Sequence, residues 1–133
     1  MIDYKDFFSD CSYIIESYLK GYGFKLYKQD EDEFISYYSN NSYCIMISML
    51  ENFPHIGVSW GGLDLNFNLI SPSLIANSLK IDPKKEMLFY EEFQSSNNLI
   101  NYASEMHYIV AVMEKFYKPI LTGEINLYDI KGL

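Results

Sequence analysis

Ser96–Gly123, SNNLINYASEMHYIVAVMEKFYKPILTG, is the stretch whose reading decides the fold. Leu99, Ala103, Met106, Val110, Met113, Tyr117 and Ile120 recur at alternating steps of four and three, which keeps side chains on one face of an α-helix. Ile100, Ile109, Phe116 and Leu121 widen the stripe beyond a coiled-coil seam, to a breadth that suits a globular core. The pattern predicts one long amphipathic helix, N-capped by Ser96 and stopped at Gly123, with His107 bordering the core and Glu105 and Glu114 on the outer side. Pro119 has no N–H and disfavours helical geometry at Lys118, so a kink or break is expected there, with Ile120 and Leu121 packing as a final turn. A helix this apolar on one side needs a partner surface, and the preceding chain supplies the pattern of a sheet.

Working outward, Phe24–Gln29, Phe34–Ser39 and Tyr43–Leu50 carry strand patterns, separated by the acidic run Asp30-Glu31-Asp32-Glu33 and by Asn40-Asn41. They read as an antiparallel meander. His55–Trp60 is a fourth strand, and the alternation of Leu63, Leu65, Phe67 and Leu69 with polar residues predicts a fifth. At the start of the chain, Tyr4, Phe7, Phe8, Cys11, Ile14, Ile15, Tyr18 and Leu19 follow a helical period, with Asp3 as cap and Gly21 and Gly23 as terminators. Ser71-Pro72 opens a short helix through about Leu79. Asp82-Pro83-Lys84-Lys85 reads as a turn, and Met87–Phe93 fits either a short helix or an extended segment. Helix, then strands, then helices is the order of an α+β domain: an antiparallel sheet of four or five strands packed on the N-terminal helix and the long C-terminal one, in a single domain over residues 1–133.

Composition bounds the function. The chain has 49% hydrophobic residues, 13 Tyr and 9 Phe, which argues against disorder. Its net charge is -8 and it contains no arginine, so phosphate backbones are repelled and a basic partner is favoured over nucleic acid; the alternative is that the charge only maintains solubility. The start Met1-Ile2-Asp3-Tyr4-Lys5-Asp6 lacks the basic and apolar regions of a signal peptide, and no stretch is apolar enough to span a membrane. Cys11 and Cys44 form no metal-ligand or redox spacing. A cytoplasmic protein with reduced thiols and no metal or other cofactor is expected.

No catalytic constellation emerges. His55 and His107 stand in no triad context, Trp60-Gly61-Gly62-Leu63 lacks the Walker lysine and the dinucleotide spacing, and neighbouring Glu91 and Glu92 point in different directions on a helix or a strand alike. Tyrosine beside carboxylate, as at Tyr90-Glu91-Glu92, is a composition that serves protein interfaces.

Three segments carry a resemblance: Tyr18-Leu19-Lys20-Gly21-Tyr22-Gly23-Phe24 at the first helix–strand junction, Tyr38-Ser39 followed by Ile45 and Ile47, and the closing Ile120-Leu121-Thr122-Gly123. In these and in its overall layout the chain resembles the small α+β immunity proteins of bacterial polymorphic-toxin and contact-dependent growth inhibition systems. The resemblance implies stoichiometric binding of a cognate toxin domain, often a nuclease, and no enzymatic activity. Asp30, Glu31, Asp32 and Glu33, followed by Glu91, Glu92 and Tyr90, are the expected toxin-binding residues, because acids meet a basic substrate groove. The alternative is a small-molecule-binding or regulatory module with an aromatic pocket between sheet and helix, which a well-formed apolar cavity with convergent polar groups would favour. An enzyme with an unfamiliar site ranks third.

Overall fold

The structure, a computed structural model, describes residues 4–41, 43–50, 56–61, 69–70, 72–96 and 101–125. The expected positions Asp3, His55, Ser71, Leu99, Ile100 and most of the fifth strand lie outside them. The described elements form the expected α+β architecture.

Strands β1 (Lys25–Asp30), β2 (Ile35–Ser39), β3 (Cys44–Met49), β4 (Ile56–Gly61) and β5 (Leu69–Ile70) make one sheet in sequence order, every neighbouring pair antiparallel. Register places Tyr38 opposite Ile45 and Ile45 opposite Trp60, and places Ser36, Ile47 and Val58 in the next row. Because side chains alternate along a strand, these two rows share one face. They form the sheet's contribution to the core, with Tyr38, Ile45 and Ile47 sealed from solvent. Edge strand β1 bulges between Leu26 and Lys28, leaves Leu26 and Tyr27 exposed, and sets the Lys28 ammonium 4.7 Å from the Tyr37 ring centre. A bulge and lysines on an edge strand discourage pairing with another chain.

The N-terminal helix is not regular. It runs as α1 (Tyr4–Asp10), a π-helical segment (Cys11–Glu16) and α2 (Ser17–Lys20). Its core residues Phe7, Cys11, Ile15 and Leu19 are spaced by four throughout. On a helix of 3.6 residues per turn each such step drifts about 40° around the axis. The wider π turn drifts the other way, so all four meet the same core. Gly23 ends the helix at φ 84°, with the Phe24 N–H donating to the Leu19 carbonyl, a Schellman-type stop.

The long C-terminal helix is shorter than its stripe predicts. Ser96 does not cap it; Ser96 is the last residue of α4 (Pro83–Ser96), and α5 (Tyr102–Phe116) starts from Asn101. Asn101 accepts the Ser104 N–H at 2.9 Å, and the Ser104 hydroxyl oxygen accepts the Asn101 N–H in return. This reciprocal capping box is a stronger start than a lone serine. The break falls at Tyr117, one residue before the expected Lys118: Pro119 has no N–H to donate, and α6 (Lys118–Leu121) begins anew with Ile120 and Leu121 buried, as expected. Gly123 ends it at φ 84°.

Two expectations about α5 fail. Glu105 is buried, whereas His107 is exposed, because the buried stripe is Tyr102, Glu105, Met106, Ile109 and Met113, turned from the sequence estimate toward Tyr102. Tyr102, Met106, Ile109 and Met113 join Phe7, Cys11, Ile15, Leu19, Tyr38, Ile45, Ile47 and Trp60 in a single core, so α5 and the N-terminal helix cover the same face of the sheet. Each such aliphatic side chain contributes about 1.5–3 kcal/mol by leaving water.

Candidate functional site

Asp82-Pro83-Lys84-Lys85 is not a free turn but the start of α4. The Asp82 carboxylate accepts the Lys84 N–H at 2.9 Å, its carbonyl accepts from Lys85 and Glu86, and Pro83 occupies the first helical position, where its missing N–H costs nothing. Met87–Phe93 is therefore helical. Near the other end, the Ser95 hydroxyl lies within hydrogen-bond distance of the Glu91 and Glu92 carbonyls, at 2.8 and 3.2 Å.

Although it spans 14 residues, α4 contains no fully buried residue. It is attached through Phe89, Tyr90 and Phe93, spaced to share a face, around Tyr108 of α5. Phe89 stacks on Tyr108 at 6.1 Å between ring centres and 29°, while Tyr90 and Phe93 meet it edge-on at 5.1 and 5.4 Å. Phe89 also meets Phe116 edge-on at 5.6 Å, under the Lys115 ammonium at 4.6 Å. Tyr90 is thus turned toward α5. Glu91 and Glu92 point outward and are exposed, beside Met87 at 62% exposure and Leu88 at 56%. Offsets of three and four put these four on one side of the helix.

Between β4, α3 (Pro72–Leu79), α4 and α5 lies a cleft of about 230 Å³. Val58, Ile75, Ile109, Val112 and Met113 form its apolar walls, and Trp60 and Tyr117 stack in it at 5.9 Å and 22°. Glu86, on the first turn of α4, and Tyr108 bring the polar groups. Burial pushes the Tyr108 hydroxyl up to about 12, with the Glu86 charge next in effect, and burial followed by Glu86 raises that of Tyr117. One carboxylate therefore acts on both phenols.

The acidic run forms the β1–β2 turn. Asp30 is partly committed to its geometry, since one carboxylate oxygen accepts the N–H groups of Asp32 and Glu33, both at 3.1 Å. Phe34 closes the turn at φ 54° and lies 6.2 Å from the Phe8 ring. Glu31, Asp32 and Glu33 are exposed. Among the described residues no three His, Cys, Asp or Glu side chains gather as a metal site requires, so the run does not converge on a point. The turn and the α4 acids sit on separate elements with different neighbours.

Other reactive groups serve the scaffold. The Glu114 carboxylate accepts from the Tyr18 hydroxyl at 2.6 Å, from the Lys118 ammonium at 2.9 Å and from the Tyr22 hydroxyl at 2.8 Å, and these bonds hold it well below the usual range, at about 2. Tyr43, buried, donates to the Ile120 carbonyl and so ties α6 to the sheet. Cys11 and Cys44 are buried free thiols, and burial pushes Cys11 up to about 12, which removes it from nucleophilic chemistry at neutral pH. Among the described residues no helix is long and apolar enough to cross a membrane.

Met87, Leu88, Glu86 and Trp60 did not stand out in the sequence. The roles of Met87, Leu88 and Glu86 depend on reading α4 as a helix from Pro83, for which the signal is the Asp82-Pro83 pair, an N-cap followed by proline at N1, whereas Trp60 sits on β4 and enters the cleft through its stack with Tyr117. Comparison of the chain with family models, with curated proteins and with solved structures finds no match.

Proposed function

We propose that the chain is an immunity-type inhibitor that neutralises a cognate basic toxin domain, a nuclease in the simplest case, by stoichiometric binding through the outer face of α4. The observation that carries this reading is the exposure of Met87 and Leu88 beside Glu91 and Glu92 on a helix that buries no residue fully. Apolar anchors with an acidic margin are the composition of a docking surface for a basic partner: the anchors supply affinity once desolvated, and the charges supply steering. The net charge of -8 extends that steering over the whole molecule. The resemblance of layout and junctions to immunity proteins supports the same role, which requires no catalytic group, and the cytoplasm is where such a protein meets its toxin. The acids of the β1–β2 turn take second place, because Asp30 serves the turn itself.

Co-expression tests the reading. The reading expects the neighbouring upstream gene to encode a secreted protein with a C-terminal toxin domain; that domain should arrest growth when expressed, and this chain should restore it. Leu88→Ala combined with Glu91→Gln and Glu92→Gln should abolish protection without lowering the melting temperature, whereas Glu31→Gln with Asp32→Asn should leave most of it. Full protection by the α4 variant would transfer the interface elsewhere; no protection by the native chain would remove the function.

A second reading, a small-molecule-binding module, is favoured by the cleft between β4, α3, α4 and α5, which combines apolar walls with Glu86 and two tyrosines.

A further inference from the structure

We infer that this cleft binds a small organic cation, an ammonium group carried on a compact aromatic or branched apolar body, with Glu86 as its counter-charge. The inference rests on the small-molecule reading and names the ligand class. An apolar cavity of about 150 Å³ accepts benzene, so about 230 Å³ has room for one ring and a short arm. Val58, Ile75, Ile109, Val112 and Met113 give that ring a dry wall.

Charge selects the end group. Among the described residues lining the cleft, Glu86 is the one that brings a carboxylate, none is a lysine, and Glu86 forms no ion pair with a described lysine. The ring quadrupoles of Tyr108 and Tyr117 favour a cation as well. A carboxylate or phosphate ligand would meet Glu86 in a chain of net charge -8, whereas a cation is concentrated by the same field. Positive charge at one end and apolar surface at the other is the pattern of an arylalkylamine.

The chain contains a single tryptophan, Trp60, and it lines the cleft, so its emission reports occupancy directly. The full-length protein is titrated with 2-phenylethylamine, with its neutral isostere 2-phenylethanol and with 3-phenylpropionate. A saturable change of Trp60 emission is expected for the amine, about tenfold weaker binding for the alcohol, and no response to the carboxylate. Glu86 is only half-buried, so Glu86→Gln should fold and should lower amine affinity about tenfold, to the level of the alcohol. Val112→Phe, which fills the cleft from α5, should abolish the response to both. Equal affinity of the native protein for amine and alcohol, or undiminished amine binding by Glu86→Gln, overturns the cationic ligand while leaving a cleft that binds small molecules. Absence of a saturable response to all three compounds overturns both.

Discussion

Helices α4 and α5 are neighbours in the chain and nearly equal in length, 14 and 15 residues, yet they are used in opposite ways. α5 buries five residues and joins the N-terminal helix and the sheet in one core; α4 buries none fully and is attached by three aromatic rings around Tyr108. An element fastened along one narrow seam leaves its other side chains free for a partner or a ligand. An element buried along its length is committed to the fold. Here the seam of α4 also forms part of the rim of the cleft, through Glu86, so the exposed anchors and the cleft lie on two sides of one lightly held helix.

The contrast breaks most visibly at methionine. Met106 and Met113 are sealed from solvent, and truncating either to Ala should cost about 2–5 kcal/mol in denaturant unfolding, from lost burial plus a residual cavity. Hydrogen exchange sharpens the same point: the amides of α4 should exchange through local opening well before those of α5, which should approach the protection of global unfolding. Equal protection of the two helices would mean that the aromatic seam holds α4 as firmly as the core holds α5.

A smaller effect belongs to the start of α5. Asn101→Ala removes one half of the capping box and should cost about 1 kcal/mol, seen as a lower melting temperature. Ser96→Ala, at the position the sequence suggested as the cap, should be close to neutral.

Smaller again is the junction of α2 with α5. Glu114→Gln should cost less than about 1 kcal/mol at neutral pH, because the carboxylate is well exposed to solvent and its lysine partner more so. Its pH dependence identifies it. The carboxyl is held at about 2 in the fold against an ordinary value of 4.5, so its contribution is present above 4.5 and is lost as pH falls toward about 2. The stability difference between native and Gln forms should shrink over that window; a difference independent of pH would show that the tyrosine and lysine bonds to Glu114 do not favour its charged form.

How much of this was legible follows the same division. The antiparallel meander and the break near Pro119 came from strand pattern and proline chemistry, which act locally, whereas the buried face did not: Ile35-Ser36-Tyr37-Tyr38-Ser39 shows no apolar alternation, yet it buries Ser36 and Tyr38. The start of α5 was misplaced because the apolar repeat continues backward past Asn101 as far as Leu99, and periodicity does not record where a capping box interrupts it. The burial of Glu105 and the exposure of His107 reflect rotation about the helix axis, which the packing partners Phe7 and Ile15 decide from far away in sequence. The candidate site was the least legible part. α4 has no broad apolar face, its described ring contacts with Tyr108 being those of Phe89, Tyr90 and Phe93, and the cleft is lined jointly by β4, α3, α4 and α5.

The smallest expected effect is the most informative about function. Met87→Ala and Leu88→Ala remove large apolar side chains, as Met106→Ala does, but from positions more than half exposed, and stability should change by no more than about 0.5 kcal/mol. Water already surrounds these groups in the folded protein, so truncation forfeits little burial and opens no cavity. Two adjacent exposed apolar side chains that add little to folding are available to a partner that covers them. Neutral stability together with loss of toxin protection would separate α4 from α5 as binding surface from scaffold. A drop of 2 kcal/mol or more, about the minimum for truncating a core methionine, would instead return Met87 and Leu88 to the core and take the docking surface with them.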